Sequence, residues 1–158
     1  MENARTLLWI TLCLPLFTQA QNPVRDHDIT IGDYLSQANM TECAISPDGT
    51  HIAYIEGRWL KEDDRRNYDL WVCEVATKKS TRLTFERSND FSPTWSPDGE
   101  TIYFIAETKR EGEKKPPLDG ENQVWRVRKD GSALTPVTQV PDGIARYQLS
   151  KDGSTIFY

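Results

Sequence analysis

The tetrapeptide Ser46-Pro47-Asp48-Gly49 returns as Ser96-Pro97-Asp98-Gly99 and, with one change, as Ser150-Lys151-Asp152-Gly153. The three copies lie 50 and 54 residues apart. Proline presets φ for the second position of a type I turn, aspartate tolerates the next position, and glycine adopts the left-handed conformation that a bulged hairpin requires. Each copy therefore predicts a tight turn between two antiparallel strands.

The residues after each turn also repeat, and so does the second half of each unit. Each glycine is followed at the same offset by a short apolar run: Ile52-Ala53-Tyr54, Ile102-Tyr103-Phe104 and Ile156-Phe157-Tyr158. Two further pairs of segments align at an offset of 54 residues: Asp69-Leu70-Trp71-Val72 with Gln123-Val124-Trp125-Arg126, and Arg82-Leu83-Thr84 with Pro136-Val137-Thr138. The runs are rich in β-branched and aromatic residues and are bounded by turn residues, which is typical of strands. Each full unit therefore contains four short strands.

Four antiparallel strands that recur every 40 to 55 residues are the signature of one blade of a β-propeller. We predict an all-β fold with two complete blades, Cys43 to Thr84 and Pro93 to Thr138, and the opening hairpin of a third from Tyr147. Closed propellers have about four to eight blades, so residues 41–158 are expected to be an incomplete propeller within a longer protein. A β-sandwich is the rival fold, but it gives no reason for the same turn to recur at blade spacing.

The first residues have the features of a secretory signal peptide. Arg5 supplies a positive charge, residues 7–17 are apolar, and Thr18-Gln19-Ala20 places small residues at the cleavage positions. We therefore expect a signal peptide over residues 1–20, a lead-in over residues 21–40, and export to the periplasm or the extracellular space. The apolar stretch is short for a membrane span, so an uncleaved anchor is the less favoured alternative, and no membrane attachment is expected after cleavage.

The charge of the chain argues against a nucleic-acid partner. The net charge is −5 and the charges of both signs are interspersed.

The two cysteines of the predicted first blade are too far apart to pair. Cys43 and Cys73 fall on strands one and three of the same predicted blade, which would place them roughly 9 to 10 Å apart. We predict that they are free thiols.

The chain carries no recognisable catalytic, cofactor-binding or metal-binding residues. It lacks a Gly-x-Ser-x-Gly nucleophile motif, a glycine-rich phosphate loop and a Cys-x-x-Cys pair. Its two histidines, His27 in the lead-in and His51 at a hairpin edge, lack a second cluster of spaced ligands. No cofactor or metal is therefore expected.

The aromatic residues on the strands have a structural explanation. They fall at matching positions of the repeat and are expected to pack between blades: Tyr54, Trp71, Trp95, Phe104 and Trp125.

Two long, charged connections, Gly57 to Asn67 and Lys109 to Asn122, are expected to emerge on one face of the propeller. Trp59 is the exception among the aromatic residues, because it would begin the first of these connections and so is a candidate contact residue.

The repeat resembles that of two propeller families. Residues 46–54, Asp69-Leu70-Trp71-Val72 and Arg82-Leu83-Thr84 are similar to the repeats of TolB-type propellers and of propellers in the prolyl oligopeptidase family. The lead-in from Asp28 to Leu35 resembles the start of secreted acylaminoacyl and dipeptidyl peptidases. TolB, by contrast, has a separate α/β domain before its propeller, so the resemblance favours the peptidases.

The resemblance implies a function that this chain would perform only as part of a larger enzyme. In the peptidase family, a Ser-Asp-His triad on a C-terminal α/β-hydrolase domain cleaves peptides, while the propeller restricts access to the active site. No triad residue maps onto this sequence. We therefore expect the substrate-gating propeller of a secreted serine peptidase, with peptide substrates reaching the hydrolase domain. A TolB-like periplasmic binding or scaffold propeller is the alternative, and a propeller lyase is third.

Overall fold

The computed structural model describes residues 27–158, so the predicted signal peptide lies outside the described residues. One short helix precedes ten strands. The elements are α1 (Ile31–Ser36), β1 (Asn39–Ile45), β2 (His51–Leu60), β3 (Arg65–Glu74), β4 (Lys79–Arg82), β5 (Asp90–Trp95), β6 (Thr101–Ala106), β7 (Gln123–Arg128), β8 (Thr135–Pro136), β9 (Gln148–Leu149) and β10 (Ile156–Phe157). No helix among these residues is long and apolar enough to cross a membrane.

The strands form three antiparallel sheets in sequence order. Strands β1-β2-β3-β4 form the first blade, β5-β6-β7-β8 form the second, and β9 and β10 pair as a hairpin. The prediction of an all-β partial propeller with two blades and the start of a third is therefore confirmed. The first blade begins slightly earlier than predicted, at Asn39.

The repeated tetrapeptide closes the first hairpin of each unit, as predicted. In the first copy the Ser46 hydroxyl donates to Asp48 at 2.6 Å, and the Thr50 backbone N–H donates to the same carboxylate at 3.0 Å. These hydrogen bonds hold the pKa of Asp48 well below its usual range. The turns of neighbouring units also touch: Gly153 has φ +73°, and a Cβ there would lie 2.7 Å from Cδ of Pro97. Glycine is therefore required at residue 153 both by the backbone conformation and by the neighbouring turn.

The main core lies between the two blades. The first blade contributes the side chains of Ala53, Ile55, Leu70 and Val72, all buried. The second blade contributes those of Ile102, Phe104, Ala106, Trp125 and Val127. Side chains alternate between the two faces of a strand. The face of the first sheet that carries Ala53 and Ile55 therefore packs against the face of the second sheet that carries Ile102 and Phe104.

The other face of the second blade packs against the third unit. Ile105 and Val124 are buried there with Ile144, and Tyr147 and Ile156 pack against them. Ile105 and Val124 align in the repeat with Ile55 and Leu70. The aligned positions therefore face the next unit along the chain in both blades.

A hydrogen bond also joins the blades. The Trp95 indole Nε1 donates to the Ala44 carbonyl at 2.9 Å, and Trp95 is 7% exposed.

We expect Trp95→Phe to lower the free energy of unfolding by about 1–2 kcal/mol, because it removes this hydrogen bond and part of the buried ring. Urea unfolding followed by circular dichroism measures the change. Trp59→Phe is the control, since Trp59 is only half-buried on the β2–β3 hairpin; equal losses in the two variants would contradict the expectation.

The prediction of a long connection from Gly57 to Asn67 is wrong. Strands β2 and β3 stay paired out to Leu60 and Arg65, so the turn comprises only residues 61–64. Gly57 does not end the strand, because its missing side chain makes room for Tyr68: a Cβ there would lie 2.5 Å from the Tyr68 ring. Trp59 accordingly lies within β2, paired with Arg66 and half-buried, rather than in a connection.

Two of the aromatic residues assigned to inter-blade packing do not pack between the described blades. Tyr54 and Trp71 are paired across β2 and β3 and stack on each other with ring centroids 6.3 Å apart. They lie on the face of the first blade turned away from the second. Trp95, Phe104 and Trp125 are buried in the inter-blade core, as predicted.

The two cysteines are free, as predicted. Cys43 lies on β1 opposite Tyr54, and Cys73 lies on β3 opposite Ile52. Both therefore project from the same outer face of the first blade. Cys43 is exposed and Cys73 is half-buried.

Candidate functional site at the blade junction

Neither histidine lies in a metal-binding cluster. The His51 Nδ1 lies 2.7 Å from the Thr50 hydroxyl at the start of β2. The His27 Nδ1 lies 2.7 Å from the Asp28 carbonyl, ahead of α1. Within residues 27–158, no three side chains of the metal-ligating types come together.

Three connections, two of them the longest within and between the two blades, lie at one end of the blades, here called the junction end. It comprises the β2–β3 turn at 61–64, the β4–β5 connection at 83–89 and the β6–β7 connection at 107–122. Arg87 donates to Asp63 at 3.0 Å, and Asn89 donates to Glu107 at 2.8 Å. The β4–β5 connection is thereby held to both of its neighbours. The predicted connection from Lys109 to Asn122 is present, with a bridge between Lys109 and Asp119.

An open groove of about 610 Å³ lies among these connections. Its walls carry charges of both signs: Arg65, Arg87 and Lys109 on the positive side, and Glu86, Glu107, Asp119 and Glu121 on the negative side. The opposite end of the blades consists of the short turns described above. A cavity of about 260 Å³ at that opposite end is lined by Thr101, Arg126, Arg128, Ala133 and Thr135. The groove at the junction end is the larger of these two spaces.

A buried carboxyl group follows the groove residues Ser88 and Asn89 in the chain. Asp90, at the start of β5, is 3% exposed, and its carboxyl accepts hydrogen bonds from the Leu70 backbone N–H at 3.1 Å and from the Thr84 hydroxyl. Burial raises the pKa of Asp90 to about 7, because the two hydrogen bonds offset only part of the cost of desolvating a charge. Nearby, Asp69 pairs with Arg82 at 2.8 Å.

The second blade contains a neutral counterpart of this arrangement. The Thr138 hydroxyl accepts from the Val124 backbone N–H at 2.9 Å and donates to the Gln123 side-chain oxygen at 3.0 Å. Thr84 aligns with Thr138 in the repeat, and its hydroxyl likewise accepts from the Leu70 backbone N–H at 2.8 Å, so the threonine has the same role in both blades. Asp90 has no place in the repeated motifs, and for this reason sequence reasoning did not single it out.

A smaller cavity of about 160 Å³ lies between the blades beside Asp90. Phe104, Ala106 and Trp125 form buried apolar walls, and Ser88 and Glu86 line both the cavity and the groove. The Trp125 indole nitrogen and the Ser88 hydroxyl are buried without a hydrogen-bond partner. The cavity thus combines apolar walls with two unsatisfied polar groups, and Thr84, Asp90 and Thr108 also line it.

The outer face of the first blade is apolar and lies open. Ile45 is 67% exposed there, and Ile52, Tyr54, Trp71 and Cys73 are half-buried. The last four align in the repeat with Ile102, Phe104, Trp125 and Val127, which the first blade buries completely or nearly so. The repeat therefore shows what covers such a face: a neighbouring blade.

Comparison with known proteins gives the family. Residues 33–157 match the family model described as prolyl oligopeptidase, N-terminal beta-propeller domain. The chain is 30% identical over 128 residues to the uncharacterized peptidase YuxL of Bacillus subtilis, a match that covers 81% of this chain and 18% of that protein. It is 25% identical over 124 residues to dipeptidyl-peptidase 5 of Porphyromonas endodontalis, covering 78% of this chain and 16% of that protein. The chain thus spans under a fifth of the length of either relative.

Solved structures agree on the fold. The structure of TolB from Acinetobacter baumannii superposes with a TM-score of 0.53 at 22% identity, covering 72% of this chain and 25% of that one. At this level of identity the likeness shows a shared propeller architecture, and the blades described above have that architecture.

Proposed function

Because the chain belongs to the prolyl oligopeptidase family through its N-terminal β-propeller domain, we propose that it is the substrate-gating propeller of an exported serine peptidase. The catalytic serine, histidine and acid would lie on an α/β-hydrolase domain encoded further along the same gene. Peptides are the substrate class. The family match over residues 33–157 is the observation that carries the proposal.

The chemistry of the chain supports a division of labour between two domains. Hydrolysis by a nucleophile needs the nucleophile, an orienting base and oxyanion donors in one site, and the sequence has no motif that supplies them. What the described residues do supply is a packed pair of blades with a groove at one end. Such a scaffold can position or exclude substrate while another domain performs the cleavage.

Export is the second part of the proposal. Arg5, the apolar residues 7–17 and Thr18-Gln19-Ala20 support a cleaved secretory signal peptide. The mature protein would then work in the periplasm or outside the cell. Mass spectrometry of the mature N-terminus tests this part: a chain that begins near Gln21 is expected, and one that keeps Met1 in the exported fraction contradicts it.

The peptidase proposal is tested on the complete gene product. We expect a Gly-x-Ser-x-Gly motif beyond further blades, labelling of its serine by a fluorophosphonate, and hydrolysis of dipeptidyl or N-acylated peptide substrates. The matched control is the same protein with that serine replaced by alanine. A complete gene product without the motif and without labelling would overturn the proposal. It would favour the TolB-like binding or scaffold propeller, which the structural likeness to TolB supports as the second candidate.

The open face of the first blade provides a further prediction. In the complete gene product we expect another blade to cover this face, because the aligned residues of the second blade are covered by the first. Cys43 and Cys73 project from that face, so each should react with iodoacetamide at least tenfold more slowly in the complete protein than in residues 21–158. Peptide mapping by mass spectrometry reports the two rates. Equal rates in the two proteins would show that the face stays open.

A further inference from the structure

We propose that the cavity between the two blades binds one apolar residue of a peptide, with its side chain inside and its carbonyl oxygen accepting from Trp125 and Ser88. The cavity is the 160 Å³ space beside Asp90 that shares Glu86 and Ser88 with the groove of the junction end. The inference rests on the proposed function only in the choice of a peptide as the ligand. The geometry itself requires no hydrolase domain.

The size of the cavity sets the size of the group it can hold. An engineered protein cavity of about 150 Å³ lined by Leu, Ile and Phe binds benzene. A cavity of about 160 Å³ with walls of Phe104, Ala106 and Trp125 therefore suits a side chain of the size of leucine or phenylalanine. Leu134, 42% exposed, and the exposed Arg110 also line the cavity, which gives it an opening to solvent.

The unsatisfied polar groups determine the chemistry of the ligand. Trp125 is only 8% exposed, and its indole N–H is buried without a partner. An indole nitrogen can only donate a hydrogen bond, so it requires an acceptor. The Ser88 hydroxyl, which also lines the cavity, is buried and unpaired as well and can donate a hydrogen bond; we assign both donors to one carbonyl oxygen. Buried polar groups without partners are rare in proteins and call for a specific explanation. An acceptor next to an apolar group describes the carbonyl and side chain of an amino-acid residue.

The groove explains why the ligand is a peptide rather than a free apolar molecule. Ser88 and Glu86 line both spaces, so a chain anchored in the cavity lies next to the groove. The groove is lined by Arg65, Arg87 and Lys109 together with acidic side chains. A surface of mixed charge can pair with the N–H and C=O groups and the mixed side chains of a peptide, whereas a surface of one sign would select a charged small molecule.

The test follows the Trp125 indole N–H by NMR in protein labelled with ¹⁵N-tryptophan. Trp125→Phe assigns the resonance by its disappearance. N-acetyl-L-leucinamide is the probe and N-acetylglycinamide the control, since the two share their amide groups and differ in the isobutyl side chain. We expect a saturable shift of the Trp125 resonance by the leucine compound, at least tenfold weaker binding of the glycine compound, and no comparable shift of Trp71. A cavity filled only by water would leave the Trp125 resonance unmoved by either compound, which would overturn the inference.

Substitutions in the cavity separate a specific site from a solvent effect. Ser88→Ala removes one donor from an irregular connection without disturbing a strand and should weaken the binding of N-acetyl-L-leucinamide about fivefold. Ser80→Ala, on the exposed strand β4, is the matched control and should bind as the unmodified protein does. Equal binding by the Ser88→Ala and Ser80→Ala variants would overturn the assignment of the carbonyl contact.

The same measurements distinguish this inference from the proposed function. Binding of the leucine compound to a gene product that fluorophosphonate does not label would leave the peptide site standing and remove the peptidase. Fluorophosphonate labelling and peptide hydrolysis without a shift of the Trp125 resonance would support the peptidase and remove the peptide site between the blades.

Discussion

Replacing Phe104 by alanine is expected to lower the free energy of unfolding by about 3–5 kcal/mol, the largest loss we expect from a single side chain here. Phe104 is 1% exposed and belongs to the core between the blades. Truncation removes the transfer energy of a phenyl ring and leaves a void that two facing sheets cannot easily close. Urea unfolding of residues 21–158, followed by circular dichroism, measures the loss.

Tyr54→Ala is the matched control, because Tyr54 occupies the same position in the repeat. Tyr54 is half-buried on the open face and stacks only on Trp71 within the described residues. We therefore expect a loss of about 1 kcal/mol in residues 21–158. Similar losses for the two variants would contradict the asymmetry between the faces. In the complete gene product the Tyr54→Ala loss should approach that of Phe104→Ala, since another blade would then cover the ring.

The contrast between Phe104 and Tyr54 shows which features of this fold can be predicted from sequence. Strand alternation and the Ser-Pro-Asp-Gly turn are local, so the blades and their four strands follow from the repeat. Which blade covers a given aromatic ring is decided by the neighbour in space. Tyr54 and Trp71 are aromatic residues at the same repeat positions as Phe104 and Trp125. The two pairs differ in whether a neighbouring blade buries them.

The error at Gly57 has a similar cause. A glycine followed by charged residues indicates a connection, yet the strand continues because Tyr68 of the paired strand occupies the space over Gly57. The contact requires the register of two strands, which the local pattern around Gly57 does not contain. The cavity at the blade junction is less predictable still, since Ser88, Phe104 and Trp125 reach it from three separate segments of the chain.

Asp90 is the clearest case of a property that arises only from the folded structure. In the sequence it is one of many acidic residues, between Asn89 and Phe91. In the fold it is buried between the blades, with Leu70 and Thr84 as hydrogen-bond donors and with Asp69 and Arg82 as the nearby charged groups. Burial and the Asp69 charge raise its pKa, while the two hydrogen bonds and the Arg82 charge lower it, and burial dominates.

This balance makes the stability of the fold depend on pH in an unusual direction. An aspartate in an unfolded chain titrates near pH 3.9, whereas the pKa of Asp90 in the fold is about 7. Between these values the folded chain holds a proton that the unfolded chain has lost, so the free energy of unfolding falls as pH rises. A shift of roughly three pKa units corresponds to about 4 kcal/mol at most between pH 4 and pH 8. The stabilisation that the Asp90 proton gives is complete below about pH 4 and is lost as pH rises through about 7.

Asp90→Asn isolates this effect, because its amide oxygen can still accept from Leu70 and Thr84 while the group stays neutral at every pH. We expect urea midpoints of the Asp90→Asn variant to be level between about pH 4.5 and pH 8, and its advantage over the unmodified protein to grow towards pH 8. Asp98→Asn is the control: hydrogen bonds from Ser96 and Glu100 lower the pKa of Asp98, so its own contribution is lost only below about pH 4. The Asp98→Asn variant should therefore keep the slope of the unmodified protein. If the Asp90→Asn variant still loses stability as pH rises, the loss comes from deprotonation of another group. Asp69 is then the residue to replace next, because burial also raises its pKa.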